Sequence, residues 1–170
     1  MISHKHKFIF IHIPKNAGTT IEWCLFGHDK KEENLYGVHG GIVLQHLKAN
    51  ELQETVGNEI FKTYFKFSFV RNPFSKCVSE YFWEINHLGE HLNFRSWVKL
   101  KLPNLIKTSE NNNIRRIRQK HNLEQYKFLY NAQGGLIVDF IGKIENLQED
   151  FNKICDEIGI PKQQLPYTNK

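Results

Sequence analysis

The stretch FIFIHIPKNAGTT, residues 8–20, holds the reading on which the fold depends. Residues 7–13 (KFIFIHI) are almost all apolar and rich in β-branched and aromatic types. That pattern predicts a strand buried on both faces, as in a parallel sheet. The run stops at Pro14 and Lys15, passes through Asn16, Ala17 and Gly18, and ends on Thr19 and Thr20. Beyond them Ile21, Cys24 and Leu25 fall at helical spacing, so a helix is expected to begin near Gly18. A helix that starts at the end of a strand turns unpaired N–H groups and a partial positive charge outward, the makings of an anion site. Gly18 permits the tight turn, Thr19 and Thr20 add hydroxyl donors, and Lys15 brings a mobile cation. The phosphate loop GxxxxGK[ST] needs its lysine after the glycine. Here the lysine comes first and the leading glycine is missing, so the segment is not that motif. Alone it reads equally well as an ordinary strand-to-helix turn with a solvated lysine.

A second turn of the same kind changes the balance. Residues 64–70 (YFKFSFV) predict a strand that runs into RNPFSKCVSEYFWEI. Phe74, Cys77, Val78, Tyr81, Phe82 and Ile85 form one apolar helical stripe, Asn72 suits the N-cap, and Pro73 suits the first helical position. Where a nucleotide hydrolase would often place a Mg²⁺-holding aspartate, this chain has Arg71, a fork-shaped anion clamp. Ser75, Lys76 and Ser79 lie on the polar side of the same helix. Two anion-seeking turns at the ends of two strands point to a ligand with two separate phosphate groups, lying in the crevice beyond the strand ends.

The rest of the chain continues the alternation. Leu44, Leu47 and Leu52 suggest a helix, and a shorter one is expected over Phe94–Leu100. Residues 103–122 are polar, basic and weakly periodic, which reads as a loop or lid. A third strand, IVDFIGKIE, precedes a helix from about Leu147 to Ile158, with Asn146 and Glu149 in capping-box positions and Gly159 as the stop. Strand and helix alternate three times, which predicts an α/β fold with a central parallel sheet flanked by helices.

At 170 residues the chain reads as a single domain, residues 1–170, with an ordinary 40% hydrophobic and 24% charged content. Its net charge of +5 suits an anionic partner. Cys24, Cys77 and Cys155 are odd in number, far apart and in apolar helical positions, so they read as small buried hydrophobes rather than metal ligands or a disulfide framework. The N-terminal apolar run is too short for a signal peptide or membrane anchor, giving the expectation of a cytoplasmic protein with no membrane partner. RNA-binding signatures are missing from the sequence, and no nucleic-acid partner is expected.

IPKNAGTT resembles the 5′-phosphosulfate-binding loop of the sulfotransferase family that acts on carbohydrates, including the heparan 2-O and chondroitin enzymes. FVRNPFSKCVSEYF is similar to that family's 3′-phosphate-binding strand and helix, usually RNPxxRxxSxY. VDFIGKIENLQEDFNKI resembles its third block and LPYTNK its LPHxN segment, so four blocks in order span nearly the whole chain. The resemblance implies a P-loop-NTPase-like three-layer fold and a donor, 3′-phosphoadenosine-5′-phosphosulfate (PAPS), that leaves as adenosine 3′,5′-bisphosphate (PAP), with no metal. It implies that Lys15, Asn16, Ala17, Gly18, Thr19 and Thr20 hold the 5′-phosphosulfate, and that Arg71 and Ser79 hold the 3′-phosphate. Departures stand at Lys76 and Lys143, where the family commonly has arginine, and at Tyr167, where it has histidine. Relatives usually continue into a further helix past the position of Lys170, which implies a minimal or C-terminally truncated form.

In-line sulfuryl transfer needs positive charge on the departing phosphate and a base for the acceptor proton. Lys15 is the residue expected to serve the first need. For the second the resemblance points to His39, in the glycine-flanked segment YGVHGG, with an ordinary imidazole pKa suited to proton abstraction. His12, inside the first strand, reads as a hydrogen-bonded core or rim residue, and Glu22 as either solvent-facing or site-facing. The run RRIRQKH, Arg115–His121, reads as a solvated loop first and a clamp for an anionic acceptor second. Trp83 and Trp97 read as core. The acceptor expected is a carbohydrate or small alcohol, anionic ones included. A phosphoryl-transfer kinase of the same architecture, or a non-catalytic nucleotide-binding protein, are the competing readings.

Overall fold

The computed structural model describes residues 1–27, 34–35, 38–39, 42–109 and 117–166. At its centre lies β2 (Phe8–Ile11), whose four side chains are all apolar and all buried. It pairs in parallel with β6 (Phe65–Val70), Phe8 opposite Phe65 and Ile11 opposite Ser68. β6 in turn pairs in parallel with β7 (Phe140–Lys143), Phe67 opposite Phe140. On the other side of β2, β1 (Ile2–Ser3) runs antiparallel both to β2 and to β3 (Asn34–Leu35). The sheet order is therefore β3-β1-β2-β6-β7. The parallel trio agrees with the sequence reading. The antiparallel edge carries no signal in the sequence, because strands of two residues show no period. A separate ribbon joins β4 (Val38–His39) to β5 (Ile42–Val43).

Ring packing fixes the layers. Phe10 stacks on Phe67 with centroids 5.2 Å apart, and Phe8 reaches Phe26 of α1 (Gly18–Phe26) at 5.6 Å. Each fully buried phenylalanine of this kind is worth about 1.5–3 kcal/mol of transfer free energy. A Cβ on Gly142 would lie 2.5 Å from a ring carbon of Phe69, so β7 approaches β6 this closely only because residue 142 has no side chain. Burial runs along both sides of β2 and β6, the requirement of a sheet flanked by helices on two faces.

Several helices differ from expectation. Leu44 is buried but precedes α2 (Ala49–Val56), which is followed by α3 (Asn58–Thr63). α4 (Pro73–Leu88) starts as expected, with Asn72 Oδ1 accepting from the N–H groups of Phe74 and Ser75. Its orientation follows the apolar stripe only in part. Phe74 is 81% exposed and Phe82 55%, while Lys76, Glu80, Tyr81 and Glu84 are the buried positions. Residues 103–109 are not loop. Helix α5 (Phe94–Ser96) passes through a π-turn (Trp97–Lys101) into α6 (Leu102–Ser109), the wide turn absorbing the missing N–H of Pro103. A 3₁₀ turn, Ile117–Asn122, follows where the loop was expected to end. α7 (Leu147–Ile158) has the expected span, but Asn146 makes no side-chain cap; Asp150 instead turns back to accept from the Lys143 N–H at 2.9 Å.

Candidate active site

The first turn is built on two residues in the left-handed region. Lys15 has φ +66° and Ala17 φ +55°, a conformation that costs roughly 1–2 kcal/mol for a residue with a Cβ. Asn16 between them holds the loop in place: it is 1% exposed, and its Nδ2 donates to Phe69 O at 2.8 Å and Gln125 Oε1 at 2.7 Å. Its Oδ1 is buried without a partner among the described residues. Ala17, as N-cap of α1, has no side chain to accept from the helix start. The first turn of α1 thus keeps the electrostatic character that suits an anion. Asn16 itself serves as the brace of the loop, its amide directed into the protein.

The second turn is joined to the first. Arg71 Nη1 donates to the carbonyl oxygen of Lys15 at 3.3 Å, so the guanidinium sits on the loop after β2. The Arg71 backbone is clamped on both sides by Gln125, whose Oε1 accepts from Arg71 N at 2.9 Å and whose Nε2 donates to Arg71 O at 2.8 Å. Asn72 N donates to Glu145 Oε1 at 2.9 Å, tying this turn to the segment that follows β7. Ser79 stands half-buried two turns into α4. Lys76, buried on the same helix, donates through Nζ to the His121 carbonyl. Burial lowers its pKa, and the charge of Lys15 lowers it further against the opposing pull of Glu80.

Under these turns lies a group of histidines and carboxylates, of which His46 and Glu80 were not singled out from the sequence. His12 Nδ1 meets Glu22 Oε1 at 2.5 Å, both side chains buried, which settles the open question about Glu22 in favour of the interior. The His12 ring lies against Gly18, where a Cβ would come within 2.1 Å of it. His46, at φ +63°, donates from Nδ1 to the His12 carbonyl at 3.1 Å, and its ring centroid is 4.4 Å from that of His12. His121 follows at 5.3 Å from His46 and bonds through Nδ1 to Glu80 Oε2 at 3.0 Å. Trp83, read from the sequence as core, packs on His121 at 4.8 Å and lies 5.6 Å under Lys15 Nζ. Trp97, by contrast, is fully buried in the way expected.

Electrostatics differ across this group. Burial, together with the neighbouring His12, His121 and Lys120, depresses the His46 pKa to about 2, against the opposing effect of its bond to the His12 carbonyl. With Nδ1 donating, its Nε2 carries the lone pair. Burial also lowers the pKa of Lys15, with Glu80 pulling it up and Arg71 pushing it down. The side chain of His39 lies outside the described residues; its backbone pairs with Ile42 in the β4–β5 ribbon. Arg115 and Tyr167 also lie outside them. The far end of the basic run is structural, with Lys120 paired to Glu51 at 2.5 Å and His121 buried.

An uncapped helix start after β2, the Asn72-capped turn after β6, an arginine bridging the two and a lysine at the mouth lie together beyond the ends of two neighbouring parallel strands. The chain matches the sulfotransferase family over residues 1–170. It belongs to that family, and it is a sulfotransferase. An uncharacterised protein of Archaeoglobus fulgidus is 34% identical to it over 114 residues, 66% of this chain and 82% of that one. No solved structure matches the chain. No described helix of this sulfotransferase is long and apolar enough to cross a membrane.

The structure brings Lys15, the 16–20 loop and Arg71 together. Ser79 stands on the adjoining helix. The residues that sequence reasoning missed, Gln125, Glu145, His46 and Glu80, act through atoms distant in sequence. Glu80 and Glu145 lay within recognised blocks, in CVSEYF and GKIEN.

Proposed function

We propose that this sulfotransferase takes its sulfuryl group from 3′-phosphoadenosine-5′-phosphosulfate and passes it to a hydroxyl of a carbohydrate or other alcohol. The observation that carries the reading is the contact of Arg71 with the Lys15 carbonyl, which makes one continuous cationic floor of the two turns. In this reading the α1 N-terminus and Lys15 hold the 5′ end of the donor, and Arg71 and Ser79 hold its 3′-phosphate. The new bond forms between the acceptor oxygen and sulfur as the bond from sulfur to the 5′-phosphate oxygen breaks. Charge builds on that departing phosphate, where Lys15 and the helix N-terminus neutralise it. The adenosine bisphosphate leaves, and the hydroxyl proton passes to a base.

Two histidines compete for the proton. The resemblance favours His39. The geometry favours His46, because its ring joins the buried group under Gly18 and its Nε2 bears the lone pair. Its low basicity comes first from burial and then from the neighbouring His12, His121 and Lys120; bound phosphosulfate would bring negative charge and raise it. The test is a panel of glycans and small alcohols incubated with radiolabelled donor, run with His39→Ala and His46→Ala. The base variant keeps nucleotide binding and loses transfer. Wild-type protein that neither binds adenosine 3′,5′-bisphosphate at millimolar concentration nor labels any acceptor overturns the reading.

A further inference from the structure

We infer that Gln125 is a positioning residue that sets the distance between the two anion turns, so that a ligand must present both of its phosphates to benefit from it. This inference rests on the donor reading above. The side chain is placed for the task by its bonds. Gln125 Oε1 accepts from Asn16 Nδ2 in the first turn at 2.7 Å and from Arg71 N in the second at 2.9 Å. Its Nε2 donates to Arg71 O at 2.8 Å. One amide thus spans two loops that are otherwise joined by the Arg71–Lys15 contact and by the Asn16 bond to Phe69 O.

The bonding pattern leaves a single orientation for each amide. Only Oε1 can accept from the Arg71 N–H, and only Nε2 can donate to the Arg71 carbonyl. Asn16 Nδ2 uses its two hydrogens on Phe69 O and Gln125 Oε1, and Gln125 Oε1 uses both lone pairs. The residue is itself held firmly. It opens a 3₁₀ turn, Gln125–Phe128, whose last residue Phe128 is fully buried, with Leu123 and Leu129 buried on either side. The cross-piece is therefore anchored in the core, while the loops it joins are the parts that meet the ligand.

Such a brace acts on a bisphosphate differently from a monophosphate. A ligand with one phosphate engages one turn, and that turn can relax around it whatever the other does. A ligand with two phosphates at a fixed separation gains the full chelate advantage only when the turns already stand at that separation. Glutamate would not replace the residue, because it cannot donate to Arg71 O and would set a negative charge between the turns.

The experiment measures dissociation constants of adenosine 3′,5′-bisphosphate, adenosine 5′-monophosphate and adenosine 3′-monophosphate for wild type and Gln125→Met. Methionine keeps the length and removes all three bonds. If its melting point falls below the assay temperature, Gln125→Asn serves instead, since its amide is one methylene short of reaching both turns. The bisphosphate is expected to weaken by about tenfold or more and each monophosphate by less than about threefold. Equal weakening of all three ligands, the mark of a loosened fold, overturns the inference; so does unchanged bisphosphate binding. Wild-type protein that does not bind the bisphosphate overturns the donor reading first, and this one with it.

Discussion

Arg71 lays Nη1 on the carbonyl oxygen of Lys15, 3.3 Å away, and so joins the turn after β6 to the turn after β2. The lysine bears a positive charge at its tip and accepts a charged hydrogen bond at its backbone, which places two cations on one floor without direct contact between them. Glu80 and Glu22 sit deeper, where each is taken up by a histidine. The mouth is thus left cationic although four of the nearby ionisable groups are paired below it.

The first prediction concerns the arginine. Adenosine 3′,5′-bisphosphate at 100 times its dissociation constant should stabilise the protein by about 2.7 kcal/mol, seen as a raised melting temperature. Arg71→Ala should abolish the shift. Arg71→Lys should also lose at least about tenfold in affinity, because lysine keeps the charge and gives up the planar fork. A lysine variant that binds as wild type does would remove Arg71 from the 3′-phosphate site.

How much of this was legible beforehand depended on whether the cause was local. Both strand-to-helix units could be read, since burial on two faces, Asn72 and Pro73 act within a few residues of their effect. The face of α4 could not. Lys76, Glu80 and Glu84 are buried because their partners come from His121, Trp97 and Lys101, and periodicity takes no account of partners so far along the chain. Gln125 was silent for the same reason, its bonds reaching back 54 and 109 residues. The break expected near Leu100 failed because a π-turn absorbs Pro103, a local rule overridden by a local alternative.

Gly18→Ala tests the packing under the loop. A Cβ there would stand 2.1 Å from the His12 ring, closer than any real contact, so either the ring or the start of α1 must move. The residue lies in the helix with ordinary backbone angles, and the cost is purely steric. A loss of about 1–3 kcal/mol in urea unfolding is expected, together with loss of bisphosphate binding. Unchanged stability would show that His12 swings away freely.

His46 makes stability depend on pH. Its folded pKa, about 2, lies below the ordinary value of 6.5. The unfolded chain therefore takes up a proton that the folded one refuses. The stability is fully present above pH 6.5 and declines as pH falls from there toward 2, by up to ~1.4 kcal/mol per pH unit. His46→Asn should remove this component, because asparagine tolerates φ +63° and can still donate to the His12 carbonyl. Urea midpoints at pH 7.5 and 5.5 check it: the wild type should fall more steeply than the variant, and parallel declines would refute the assignment.

The buried face of α4 gives the last prediction, a contrast between two residues. Phe74 is the first member of the apolar stripe and is 81% exposed, so Phe74→Ser should change stability by no more than about 0.5 kcal/mol. Glu84 is charged yet 1% exposed, accepting from Trp97 Nε1 at 2.9 Å and from Lys101 Nζ at 2.7 Å. Glu84→Ala would strand the buried indole N–H, leave Lys101 to Glu90 alone, and open a cavity beside Trp97. A loss of about 3 kcal/mol or more is expected, since removing one partner of a buried pair costs far more than the pair itself contributes. Glu84→Gln, which can still accept from the indole, should fall between. The ordering is opposite to the one hydrophobicity suggests: were Phe74→Ser the more damaging in chemical denaturation, α4 would be facing the other way.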